Sequence, residues 1–295
     1  MLMRVLRSSP SILAAGIVVA STTATAMLPA PAHAASPAQP LAIGQTFTVD
    51  SKPLGETRRI NVLLPRDYDA HPDAKFPVLY LLDGGIGEDF LHIAGLVAVE
   101  TGNGTMAPTI LVGIENTQRR RDLTGPTTDS RDLAIAPVVG KSATFREFLR
   151  GELMPAVRMR YRTNGKHAII GESLAGLFVV ETFLQQPTLF DTWIAVDASL
   201  WWNHDALVNA AARDLAAQAS GSRTLYLACS RDGCPYGKDA EFPVPRFAAV
   251  LQAHAPKGLH WLLRRFPRET HATVFHPAAM DAFKTVFPAP AKTSE

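Results

Sequence analysis

Cysteine is nearly missing from this chain of 295 residues: the two present, Cys229 and Cys234, both sit in ACSRDGCP. Two thiolates are too few for a structural zinc site. They leave two readings open, a disulfide in an exported protein, or a buried strand residue at 229 with a free loop thiol at 234. A charge excess is missing too, since 29 Lys and Arg face 27 Asp and Glu. A nucleic-acid binder is expected to keep a basic surplus. No apolar run is long enough to span a bilayer: the stretch Ile12 to Ala20 has nine residues, against about 20 required. Arg4 and Arg7 precede it and Ala32-His33-Ala34 follows it. That is the layout of a secretory signal over residues 1–34. No cysteine follows the cut, which argues against a lipoprotein. Residues 35–295 are then expected to form one domain, formally neutral, periplasmic or secreted, with no stable membrane insertion after signal removal. The third glycine of GxGxxG is also lacking, because Phe90 stands where Gly85-Ile86-Gly87 would need it. A dinucleotide site is therefore a weak reading.

What the chain does have is a series of short β-rich runs: 45–50, 58–65, 76–83, 109–115, 167–171, 192–198, 223–229 and 260–266. The first two alternate apolar with polar, as antiparallel strands covered on one face do. The later ones are nearly continuous apolar, which suits parallel strands buried on both faces. Helical spacing falls between them. Phe145, Phe148, Leu149, Leu153, Ala156 and Val157 would share one helix face, and Thr144 with Glu147 has capping-box spacing. Further helices are expected over 90–100, 174–186, 206–218, 246–255 and 278–286. The pattern predicts an α/β fold, a mostly parallel central sheet of about eight strands with helices on both faces. Residues 116–143 are too long for an ordinary connection, so they are mobile or functional. No internal repeat is present.

The apolar stretch around IIGESLAGLF breaks at Gly171-Glu172-Ser173 and resumes at once. A strand ending, a sharp turn at a serine and an immediate helix make a nucleophile elbow. Ala175 stands at the second glycine of GxSxG, where strand and helix nearly collide and only a small residue fits. The bland alternative is a helix N-cap serine. A serine needs a base. In this arrangement the base follows the last strand, so PRETHATVFHP nominates His271. His276 is expected to enter the final helix and His260 to lie in a strand, both structural. The acid must lie near a strand end between nucleophile and base. Asp232 after the penultimate strand is the candidate, an exposed turn aspartate being its competitor, with Asp239, Glu241 and Asp197 in reserve. If the two cysteines pair, the bridge closes a small loop around Asp232. Oxyanion donors are expected from the Leu174 amide and from the Gly84-Gly85 loop, with Gly85 as the second donor.

The segments RRINVLLPRDY, PVLYLLDGG, VGIENTQRRRDLT, EFLRGELMPAVRMRYRT, GESLAGLFVVETF, DASLWWN and ETHATVFHP together resemble the esterase family of α/β-hydrolases that includes periplasmic trilactone siderophore esterases. The likeness runs from about residue 42 to 287. It implies an α/β-hydrolase fold, Ser173 as nucleophile, His271 as base and oxyanion donors near Gly85 and Leu174. Some members rely on a Ser/His pair without a firm acid. The Gly-rich tract that often precedes the 145–161 helix is thin here, with only Gly140.

Substrate contacts are expected from Gly84, from Trp201 and Trp202 as a pocket wall unless they pack in the core, and from Arg120 in the Arg119–Arg121 run unless that run is solvated surface. The expected function is a serine esterase on a small-molecule ester, through an acyl-enzyme, with no metal or organic cofactor. The alternatives are acyl transfer by the same groups, or a non-catalytic binding protein on a hydrolase scaffold.

Overall fold

The computed structural model describes residues 37–289, so the expected leader lies outside the described residues. Each β-rich run becomes a strand: β1 (Gln45–Ser51), β2 (Glu56–Leu63), β3 (Phe76–Leu81), β4 (Ile110–Ile114), β5 (Thr163–Glu172), β6 (Thr192–Val196), β7 (Arg223–Ser230) and β8 (Leu259–Phe266). They build one eight-stranded sheet in the order β1-β2-β4-β3-β5-β6-β7-β8. β2 pairs antiparallel with β1 and with β4, and every later pairing is parallel.

The helical segments are α1 (Phe90–Gly102), α2 (Arg119–Asp122), α3 (Ser130–Leu133), α4 (Ser142–Phe148), a π-helical stretch (Leu149–Leu153), α5 (Met154–Arg160), α6 (Leu174–Gln185), α7 (Trp202–Ala216), α8 (Pro243–His254) and α9 (Phe275–Val286). Side chains alternate across each strand, so β3 feeds two cores. Leu79 and Leu81 join Ile170, Ile194 and the apolar faces of α1 and α9. Val78 and Tyr80 join Ile169, Trp193 and the faces of α4 to α8. Both faces are covered, which is why the parallel strands read as unbroken apolar runs.

One local expectation is corrected, and the long stretch 116–143 takes shape. The capping box at Thr144 is not used: α4 starts at Ser142 after Lys141 with no side-chain cap, and the Ser142 N–H donates instead to the Thr124 carbonyl. The predicted face survives because Phe145, Phe148, Leu149, Leu153 and Val157 are all buried, although a π-helical stretch interrupts the α-helical turns. Residues 116–143 contain the short helices α2 and α3, and ion pairs join α2 to the rest of the domain. Arg58 Nη1 lies 2.6 Å from Asp122 Oδ2 with neither side chain exposed, and Arg121 bridges Asp122 and Glu56. Burial pushes the Glu56 carboxyl up, but hydrogen bonds from Arg121, Thr117 and Arg58 outweigh it and hold the group down at about 2. Further along, Gly125 accepts from Trp202 Nε1 at 2.9 Å and Asp132 from the Asn203 N–H at 2.8 Å. This segment therefore buttresses the start of α7. There Asn203, His204 and Asp205 are left-handed, and the right-handed helix runs only from residue 206.

Candidate active site

The parallel register brings the C-terminal ends of β5 to β8 to one edge, Glu172 opposite Val196 and Ser230 opposite Phe266. Ser173 follows β5 directly and takes φ 59°, ψ −120°. A non-glycine residue there costs on the order of 1–3 kcal/mol. The turn is held on both sides: the Ser173 N–H donates to the Val196 carbonyl, and the Ser173 carbonyl accepts from Ser199 and Leu177. Close packing explains the small neighbours. A Cβ on Gly171 would stand 2.7 Å from Ala175 Cβ, and one on Gly176 would stand 3.0 Å from Ala198 Cα.

His271, in the turn after β8, presents Nε2 at 3.1 Å from Ser173 Oγ. Its Nδ1 lies 2.7 Å from Oδ2 of Asp197, not of Asp232. The expectation for Asp232 is corrected on this point: its Oδ2 accepts the backbone N–H of His271 at 2.9 Å, so it touches the loop and not the ring. Asp197 was only a reserve. It follows β6, which lies between β5 and β7, and its backbone takes a positive φ of 43°. Ser230 completes its surroundings, the N–H to Oδ1 at 2.9 Å and the hydroxyl to Oδ2 at 2.8 Å. Sequence reading missed Ser230; the only signal was its place at the end of β7. Among the other reserves, Asp239 pairs with Arg265 at 2.8 Å and Glu241 stands on the cleft wall.

Electrostatics follow from these contacts. Burial raises the Asp197 carboxyl, but hydrogen bonds from His271 and from the side chain and backbone of Ser230 outweigh it and hold the group below its ordinary value. The hydrogen bond to Asp197 raises His271 above the usual histidine value against the opposing effect of burial, with the charges of Asp197, Glu172 and Asp232 adding to the rise. Glu172, beside the serine, is pushed up to about 7 by burial and by Asp89, Asp197 and Asp83, while His271 pulls it down. A base must be neutral to accept a proton, so activity should rise with pH through the raised His271 value. Glu172→Gln removes a negative charge that favours the imidazolium, and the acid limb of the kcat/KM profile should move to lower pH; an unmoved limb would show that the two groups do not interact.

The Leu174 N–H opens α6 and so has no intrahelical partner. Gly85 is different: its N–H donates to Glu88 Oε2 at 2.7 Å, so that donor is occupied. Gly84, expected as a substrate contact, is buried with both backbone groups engaged. Its N–H bonds the Ile114 carbonyl, its carbonyl accepts from Asn61, and a Cβ would meet Ile114 N at 2.2 Å, so glycine lets the loop after β3 press against β4. Trp201 is 47% exposed and lines a cleft of about 570 Å³ with Ser173, His271, Ser199, Phe242 and Val244. Trp202 does not line it: the ring is buried and bonded to Gly125, which corrects its assignment as a pocket wall. Arg120 is corrected likewise, since it faces a separate cleft with Gln118, Pro137 and Val138 that neither Ser173 nor His271 lines. A larger cleft of about 750 Å³, beside Val208, Arg246 and Arg265, also lacks both residues.

Residues 51–230, more than half of the chain, match the model of the Esterase family, described as "Putative esterase". The chain belongs to the Esterase family. This esterase-family chain is 32% identical over 165 residues to ferri-bacillibactin esterase BesA of Bacillus subtilis, covering 50% of the chain and 56% of BesA. It is 37% identical over 90 residues to siderophore triacetylfusarinine C esterase of Aspergillus fumigatus, 29% of each protein. The matched part thus spans about half the length of the first relative and less of the second. Among solved structures, an IroE-like serine hydrolase from Shewanella oneidensis superposes with a TM-score of 0.74 at 29% identity, covering 83% of this chain and 80% of that one. Siderophore hydrolase EstA from Aspergillus nidulans gives 0.71 at 22% identity, covering 86% and 97%. The fold of this family member is that of the α/β-hydrolases.

Proposed function

We propose that this chain is a serine carboxylic-ester hydrolase. The observation that carries the reading is the unbroken line from Ser173 Oγ to His271 Nε2 at 3.1 Å and from Nδ1 to Asp197 at 2.7 Å, with the serine on a strained elbow. In the reaction, Ser173 Oγ attacks the ester carbonyl as its proton passes to Nε2. Asp197 keeps Nδ1 protonated and stabilises the imidazolium. The Leu174 N–H holds the oxyanion, while the Gly85 N–H, which donates to Glu88 Oε2, can join it only if that carboxylate moves. The tetrahedral species collapses, the alcohol leaves with the proton from Nε2, and water repeats the sequence on the acyl-enzyme.

The substrate class is a siderophore ester or lactone. The names of the two curated relatives support this, and so does the cleft at Ser173, whose volume lies in the range of about 300–1,000 Å³ usual for small-molecule sites. An exported location fits the disulfide between Cys229 and Cys234, a bond that persists in oxidising compartments. Among the described residues no helix is long and apolar enough to cross a membrane.

The test is a fluorophosphonate probe together with aryl esters of rising acyl length and a siderophore trilactone, each with and without candidate acyl acceptors. Labelling at Ser173 with release of free acid supports the proposal. Acyl groups recovered on the acceptor would make the chain a transferase, and a folded protein that neither labels nor turns over would make it a binding protein.

A further inference from the structure

The turn Cys229–Cys234 joins the end of β7 to the site at several points. Ser230 is buried, and its hydroxyl has one proton and two acceptor positions. The proton goes to Asp197 Oδ2, and the oxygen accepts from the N–H groups of Asp232 at 3.1 Å and Gly233 at 3.2 Å. A Cβ on Gly233 would stand 2.2 Å from Asp197 Oδ1, so the turn closes directly on that carboxylate. On its other side, Asp232 takes the His271 N–H at 2.9 Å, and the Arg231 N–H donates to the Glu269 carbonyl at 3.0 Å, two residues before the imidazole. The disulfide ties the two ends of the turn, and the Cys234 N–H also bonds the Ser230 carbonyl.

We infer that Ser230 and Asp232 are positioning residues for the Asp197–His271 pair, and that the Cys229–Cys234 disulfide holds them in place. The inference rests on the esterase reading and adds to it a regulation of the same site. Ser230 fixes both oxygens of the acid, Asp232 fixes the backbone that carries the base, and one covalent bond closes the turn that supplies both. A misplacement of about 1 Å at a reacting group can cost on the order of 100-fold in rate, so a fraction of that shift at the imidazole lowers the rate measurably. Asp232 needs only an acceptor oxygen for this task, so asparagine can replace it; alanine cannot.

The experiment compares four samples: oxidised wild type, wild type reduced with a trialkylphosphine, Asp232→Ala and Asp232→Asn. The phosphine takes an oxygen from water, becomes the phosphine oxide and leaves two thiols. Reduction and Asp232→Ala should each lower kcat by roughly ten-fold with KM unchanged, and Asp232→Asn should recover most of the loss. Circular dichroism establishes that each sample is folded. The His271 imidazole titration, followed by NMR, provides a readout independent of turnover. In oxidised wild type it should lie above the ordinary histidine value, with Asp197, Glu172 and Asp232 as its charged neighbours, and reduction should bring it down. Folded, reduced protein and Asp232→Ala with wild-type kcat and an unmoved His271 titration would overturn the inference. Failure of the oxidised wild type to label or turn over any ester overturns the esterase reading instead, and the titration still decides whether the turn holds the pair.

Discussion

Ser173→Ala should cut kcat by about 10⁵ to 10⁶ and leave the protein folded. The loss is large because nothing near the elbow can substitute. Ser199 is the nearest second hydroxyl, with its oxygen 3.4 Å from Ser173 Oγ, but His271 Nε2 bonds Ser173. A small residual rate over water should remain from the oxyanion donor and from binding. Stability should move the other way in a companion variant. Ser173 holds φ 59° against a steric penalty that glycine does not meet. Ser173→Gly should therefore be as inactive as the alanine variant but melt higher, by about 2–4 °C for each kcal/mol of strain released in a domain of this size. A glycine variant that melts below wild type would show that the elbow is not strained. An alanine variant that keeps turning over esters would remove Ser173 from the reaction altogether.

The fold was legible where one physical requirement dominated each segment. Buried parallel strands need apolar residues on both faces, so β3 to β7 announced themselves as continuous runs, and the elbow did so through the small residues that its collision with α6 demands. What stayed hidden depended on contacts between segments distant in sequence. Asp197 and Asp232 both follow strands, and local sequence does not say which side chain reaches the ring; that is set by where β6 and β7 place them beside the turn after β8. Trp201 and Trp202 are adjacent and identical in type, yet one lines the cleft and the other is buried against Gly125. Gly84 and Gly85 carried the same expectation of backbone exposure, and each found a separate partner, strand β4 for one and the Glu88 carboxylate for the other. The Thr144 capping box is a local signal that a distant carbonyl, that of Thr124, made unnecessary.

Asp197→Asn should lower kcat by about 10⁴, whereas Asp232→Asn should stay within a few-fold of wild type. The geometry around 197 dictates how the new amide must sit. The Ser230 backbone N–H can only donate, and it points at Oδ1, so asparagine has to place its carbonyl oxygen there. Its NH₂ then faces Nδ1 of His271 and the Ser230 hydroxyl, whose oxygen can accept it only by giving up one of the two N–H donors, Asp232 or Gly233, that it already holds. Nδ1 becomes an acceptor, the ring proton moves to Nε2, and the nitrogen facing Ser173 Oγ can no longer take the serine proton. The loss is thus a loss of the correct tautomer rather than of packing, and raising the pH should restore part of the rate only if another base enters. At 232 no such trap exists, because the His271 N–H needs one oxygen and the amide supplies it. Measured kcat values for the two variants, with melting curves to show that both fold, decide the matter: a crippled Asp232→Asn beside a near-normal Asp197→Asn would return the acid to the end of β7.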